Sequence, residues 1–241
     1  MDRPRLLLIS EWTEVEWIAI KPQLEEWADV ASFEPPWLGD EAGPDSLDRN
    51  ALVALGLEEL DRRGWERCFV VADGWSNSSA VRLALARPEA VAGMILGHAR
   101  LSHRKEGDRA PINRPIWEAL NELAQKDHEE FMLHGFTQVT GGSVSEDVAR
   151  QMMDRYPHEL ISSGFELLTP DDDELEGLMA GLRCPLLLAK HDGCLMATDE
   201  GFEDAAAALP HAKTVSVRDA PLSSDEFATA IRDFCEGIEV G

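Results

Sequence analysis

The sequence predicts an α/β protein built on a mostly parallel, doubly wound sheet of about six strands. Three observations carry this reading. Short apolar runs of strand length recur along the chain, helix-period segments alternate with them, and one long interval without a strand interrupts the alternation.

The runs Leu6 to Ile9, Cys68 to Ala72, Val91 to Leu96, Pro185 to Ala189 and Thr214 to Val217 read as strands, and the most apolar of them suit burial on both faces. The segment Ala28 to Phe33 makes a weaker sixth. Trp17 to Trp27, Leu47 to Arg63, Ser79 to Ala86, Phe202 to Leu209 and Asp225 to Ile238 space their apolar residues three and four apart, as amphipathic helices do. Parallel neighbours need crossover connections, and helices of this length supply them. From Ser102 to Gly181 no strand stands out. Trp117 to His134, Val148 to Tyr156 and Asp171 to Leu182 read there as helices, separated by Gly141-Gly142, Pro157 and Pro170. The expected division is therefore a core of residues 1–101 and 182–241 with a helical cap insertion at 102–181.

A chain of 241 residues suffices for one such domain with a large core. The formal charge of −24, from 46 acids against 22 bases, would repel a phosphate backbone, so nucleic acid is not an expected partner. That acidity fits either adaptation to high salt or a solubilising surface. Cys68, Cys184, Cys194 and Cys235 lack C-x-x-C spacing, which predicts neither a zinc site nor a disulfide framework, and reduced thiols in cytoplasm are the expectation. The apolar run near the N-terminus is too short for a signal-peptide core or a membrane span. No phosphate-cradling glycine loop or nucleotide fingerprint is present, so no cofactor is expected.

The most informative stretch is Phe69-Val70-Val71-Ala72-Asp73-Gly74-Trp75-Ser76-Asn77-Ser78-Ser79-Ala80, a buried strand passing at once into a helix. A serine in so tight a turn is presented above the sheet's C-terminal edge, beside helix N-terminal amides that can stabilise an oxyanion. Here the chain resembles the α/β-hydrolase fold family, whose G-x-S-x-G signature is matched by Gly74-Trp75-Ser76-Asn77-Ser78 with the last glycine replaced. Ala84 through Leu96 is similar to the family's following helix, proline break and next strand. Cys184 through Asp192 is similar to the strand whose exit carries the triad acid, and Thr214 to Leu222 to the last strand and the loop that presents the triad histidine. The resemblance covers residues 5–101 and 182–238.

It implies Ser76 as nucleophile and Asp192 as the orienting acid. The seven histidines are His98, His103, His128, His134, His158, His191 and His211, so none follows the last strand, and Leu222 takes the approximate place of the family's base. His98, leaving the strand next in order after the elbow strand, is the best-placed substitute, with His191, His128 and His134 behind it. The family's His-Gly pair after the first strand is replaced by Ser10-Glu11 before Trp12. Trp12, Glu11, Trp75 and Asn77 are the candidate oxyanion and pocket residues, with Trp17 and Trp37 either pocket lining or core. Glu11 and Asp73 also read as structural or solvated groups. The function expected from this set is hydrolysis of a small ester, thioester or amide, with a small apolar or acyl ligand as partner. The alternatives are a non-hydrolytic ligand-binding or interaction protein on the same fold, and a cofactor-free lyase or isomerase using His98, Asp192 or Glu11 for proton transfer.

Overall fold

The computed structural model describes residues 3–11, 13–36, 48–99, 113–136, 146–155, 177–192, 194, 197–219 and 224–238. Six strands, β1 (Arg5–Ile9), β2 (Asp29–Ala31), β3 (Cys68–Asp73), β4 (Val91–Gly97), β5 (Leu186–His191) and β6 (Lys213–Val217), form one sheet in the order β2-β1-β3-β4-β5-β6. Every pairing is parallel. The six expected strands all form, with no end shifted by more than two residues.

Alternation along the strands divides the core in two. Leu7, Ile9, Val70, Ala72, Met94, Leu96 and Leu188 face one layer. Leu6, Leu8, Phe69, Val71, Ile95, Leu187 and Val217 face the other. Helices α2 (Arg49–Arg63) and α3 (Ser76–Ala86) cover the first face through Leu52, Leu60, Ala80 and Leu83. Leu24 of α1 (Lys21–Glu25) and Phe227, Ile231 and Phe234 of the helix Asp225–Glu236 cover the second. Each fully buried leucine or phenylalanine contributes roughly 1.5–3 kcal/mol of transfer free energy, which explains why both faces read as unbroken apolar runs. Gly93 in β4 has a specific reason to lack a side chain. A β-carbon there would lie 3.1 Å from ring atoms of both Phe69 and Phe234, so the glycine admits the C-terminal helix onto the sheet.

Local signals set the helix ends. Asp48, Thr198 and Ser224 accept backbone amides at the starts of α2, Asp199–Ala208 and Asp225–Glu236, and Gly64, at φ 65, closes α2 in the left-handed region. The helix expected over Trp17 to Trp27 is instead a 3-10 turn, Glu14–Trp17, followed by the short α1. Pro22 explains the break, because proline suits the first turn of a helix and not its interior. Within the expected insertion, α4 (Arg114–Lys126) leads into a π-helical segment, Phe131–Phe136, and a further helix spans Glu146–Arg155. Leu120, Ala124, Phe131 and Ala149 from these elements join the first core layer. Of the helix expected over Asp171 to Leu182, residues 177–180 are helical and 171–176 lie outside the described residues. No helix among the described residues is long and apolar enough to cross a membrane.

Candidate functional site

The order in which strands are added reverses between β1 and β3, with β2 on one side of β1 and β3 to β6 on the other, and ligands in open α/β sheets bind outside the strand ends at such a switch point. Here that crevice is bridged by polar side chains. The Glu11 amide, after β1, donates to Ser76 Oγ, after β3, at 2.9 Å. Ser79 Oγ donates to Glu11 Oε1 at 2.5 Å, and Arg49 Nε donates to the same oxygen at 3.0 Å. Glu11 is 0% exposed and Arg49 is buried beside it. Glu11 therefore points inward, as a paired structural anion. Removing two charges from water is expensive, and the pair persists because Ser79 and the guanidinium together satisfy the carboxylate.

The elbow is displaced from where the sequence puts it. Gly74, at φ 56, is the left-handed residue between β3 and α3, while Ser76 is already the first residue of the helix. A left-handed conformation costs a side-chain-bearing residue about 1–2 kcal/mol and glycine nothing, so the turn tightens at the glycine. Ser76 is 1% exposed, and its hydroxyl is occupied by the Glu11 amide rather than presented above the sheet. This corrects the expectation that Ser76 forms the apex of the turn. Asn77 is buried too, its Nδ2 donating to the Gly97 carbonyl at 2.9 Å, and so is a structural tie to β4. Trp75 is partly buried against the first core layer, Trp17 is fully buried in the second, and Trp12, Trp37 and Leu222 lie outside the described residues.

The titratable groups that do converge sit one and two strands further along. Asp73 ends β3, His98 leaves β4, His191 ends β5, and Cys194 lies three residues beyond it. His98 Nδ1 is 2.9 Å from Asp73 Oδ1, and its Nε2 is 3.4 Å from His191 Nδ1. The Cys194 sulfur lies within 4.8 Å of a ring nitrogen of His98 and of one of His191. The Ala197 amide donates to Cys194 Sγ at 3.2 Å, a further stabilisation of negative charge on the sulfur. His98 is the only non-glycine residue with positive φ among the described residues, at 46. Strain of that kind persists where the surroundings fix a side chain in place.

Electrostatics follow from this packing. Burial, the largest single influence on His98, disfavours its charged form, but the Asp73 charge and hydrogen bond, with those of Cys194, outweigh it and hold the imidazole up to about 10. His191 moves down, first through burial and then through the charge of His98. Nearby, Glu16 is buried and its carboxyl is raised well above the ordinary range, mainly by desolvation and further by Asp73 and Glu11.

Of the sequence-derived trio, His98 alone is at this centre. Asp192 is 52% exposed and stands 3.8 Å from Lys190 Nζ, so the acid that orients His98 is Asp73. Asp192 follows the last residue of β5 and turns outward; Asp73 is the last residue of β3 and directly faces the β4 exit across the ladder. Cys194 was missed because its partners lie 96 and three positions away, a separation that no spacing pattern reports. An apolar cavity of about 400 Å³ opens elsewhere, between α4 and the π-helical segment, lined by Ile116, Leu120 and Leu123 with Glu130 and His134 at its rim. Of the candidate residues named from the sequence, the substitute base His134 lines it, and Ser76, His98 and Asp192 do not.

No family model matches the sequence, and no curated protein matches it. Solved structures do match. A bromoperoxidase from Bacillus anthracis superposes with a TM-score of 0.80 at 13% identity, covering 98% of this chain and 92% of that one. An esterase from Exiguobacterium antarcticum gives 0.78 at 13% identity over 97% and 92% of the two chains. A hydrolase from Oleispira antarctica gives 0.77 at 13% identity over 98% and 92%. The likeness spans nearly the whole chain and concerns its architecture.

Proposed function

The chain has the α/β-hydrolase fold, and from that premise we propose that it hydrolyses a small ester or thioester at a thiol–imidazole centre, with Cys194 as nucleophile, His98 as proton carrier and Asp73 as the group that orients His98. The observation that supports this is the position of His98, held by Asp73 at Nδ1 and with a ring nitrogen within 4.8 Å of the Cys194 sulfur. Nucleophile, base and orienter within mutual reach are the arrangement that acyl transfer needs, whatever their order in the chain.

In this reading the Cys194 sulfur attacks the carbonyl carbon. A sulfur–carbon bond forms, the bond to the leaving alcohol or thiol breaks, and His98 Nε2 gives that group its proton. A water then loses a proton to His98 and attacks the thioester carbon, which releases the acid and restores the sulfur anion. Asp73 keeps its charge throughout and holds Nδ1, so that Nε2 faces the reaction.

The test is turnover of p-nitrophenyl acetate and of a short acyl thioester, in the presence of a chelator. Cys194→Ala is expected to lower kcat/KM by at least about 10²-fold, with Ser76→Ala within a few-fold of the parent. Loss in Ser76→Ala with retention in Cys194→Ala would return the chemistry to Ser76 and end this reading.

A second reading, a ligand-binding protein without hydrolysis, is favoured by one observation: the elbow carries Gly74, with no side chain at all, beside a crevice filled by Glu11. Saturable binding of the thioester with no acid released would select it.

A further inference from the structure

We infer that His98, His191 and Cys194 form a binding site for a thiophilic divalent cation of the zinc type. Their donor atoms, Nε2 or Nδ1 of each imidazole and Sγ of the thiol, all lie within 4.8 Å of one another. Tetrahedral zinc with ordinary bond lengths sets two imidazole nitrogens roughly 3.3 Å apart and a nitrogen and a sulfur roughly 3.6 Å apart. His98 Nε2 and His191 Nδ1 are already 3.4 Å apart. The two rings meet edge to face, at 81° with centroids 5.5 Å apart, and do not stack.

Two more features support the site. Asp73 accepts from His98 Nδ1, which fixes the neutral tautomer with its lone pair on Nε2, the carboxylate–histidine support found behind metal-binding imidazoles. His191 is buried at the end of β5, and the acyl chemistry above gives it no task. Two imidazoles and one thiolate prefer zinc or cobalt to magnesium or calcium, which take oxygen ligands. Three protein donors leave a fourth position for water or an anion.

The inference does not rest on the acyl chemistry. A bound cation takes the Cys194 sulfur and His98 Nε2 out of that reaction, so turnover measured with chelator and binding measured by spectroscopy fail independently.

Cobalt(II) titrated into the chelator-stripped protein is expected to bind at about one equivalent, with visible bands of tetrahedral geometry and a thiolate charge-transfer band in the near ultraviolet. The charge-transfer band should vanish in Cys194→Ser, and Asp73→Asn should weaken binding by about 10–100-fold. A measurement on the unaltered chain guards against misfolded variants: zinc should slow alkylation of Cys194 by iodoacetamide, followed by peptide mass spectrometry. No cobalt spectrum, a charge-transfer band retained in Cys194→Ser, or a Cys194 alkylation rate indifferent to zinc would each overturn the site.

Discussion

Asp73 Oδ1 and His98 Nδ1 lie 2.9 Å apart at the C-terminal ends of adjacent strands, β3 and β4. The ladder holds them there, since Asp73 pairs with Gly97 in register and His98 is the next residue. The carboxylate is thus set by the sheet itself, whereas Asp192 at the β5 exit turns toward Lys190 and solvent.

A direct prediction separates the two acids. Asp73→Asn should lower kcat/KM for ester hydrolysis by about 10²-fold or more, because the amide can hold the ring in the wrong tautomer and no longer stabilises its charge. Asp192→Asn should stay within twofold. A pH–rate profile altered by the Asp73 change and not by the Asp192 change would distinguish an orienting role from a general loss of structure.

The buried Glu11–Arg49 pair predicts a large stability effect with a rescue. Arg49→Met leaves the Glu11 carboxylate uncompensated inside the protein and should cost about 3–5 kcal/mol in urea denaturation. Adding Glu11→Gln removes the stranded charge and should recover most of that loss. Equal destabilisation of the single and double variants would show that charge burial is not the cause.

Glu16 predicts a pH dependence of stability whose sign follows from its raised carboxyl. The folded state holds this proton more tightly than the unfolded chain, so stability is highest below the unfolded value, about 4.5, and falls as pH rises toward the folded one. Glu16→Gln mimics the protonated form. It should raise Tm at neutral pH, with the gain shrinking as pH falls from the raised folded value toward about 4.5 and gone below that, and thermal melts across that range check it.

Gly74 should resist substitution by conformation alone. Nothing lies within 4 Å of a β-carbon built there, yet φ is 56, so Gly74→Ala should cost about 1–2 kcal/mol through backbone strain. A neutral result in chemical denaturation would mean the turn relaxes.

The architecture was legible in the sequence because strand burial on two faces leaves unbroken apolar runs such as Leu6 to Ile9 and Val91 to Leu96, and because the intervening helices carry their own period. The elbow was legible to within two residues. Its glycine fixes where the chain turns, but Gly74-Trp75-Ser76 reads equally well with either end at the apex, and only the φ of 56 decides between them. Glu11 could not be placed from sequence because its partners, Arg49 and Ser79, come from two different helices. Asp73 read as structural or solvated, and its pairing with His98 depends on the β3–β4 register, which no local pattern encodes. His98 was found because strand exits converge. Cys194 was not, because a lone cysteine in a loop carries no signal until the fold sets it beside an imidazole.

In the proposed chemistry the reactive group is the thiol beside His98 and not the Ser76 hydroxyl. Brief exposure of the chelator-treated protein to p-nitrophenyl acetate, acid quench and peptide mass spectrometry locates the acyl group directly. Acetyl is expected on the peptide carrying Cys194 and none on the peptide carrying Ser76; acetyl on Ser76, with Cys194 unmodified, would contradict a thiol nucleophile.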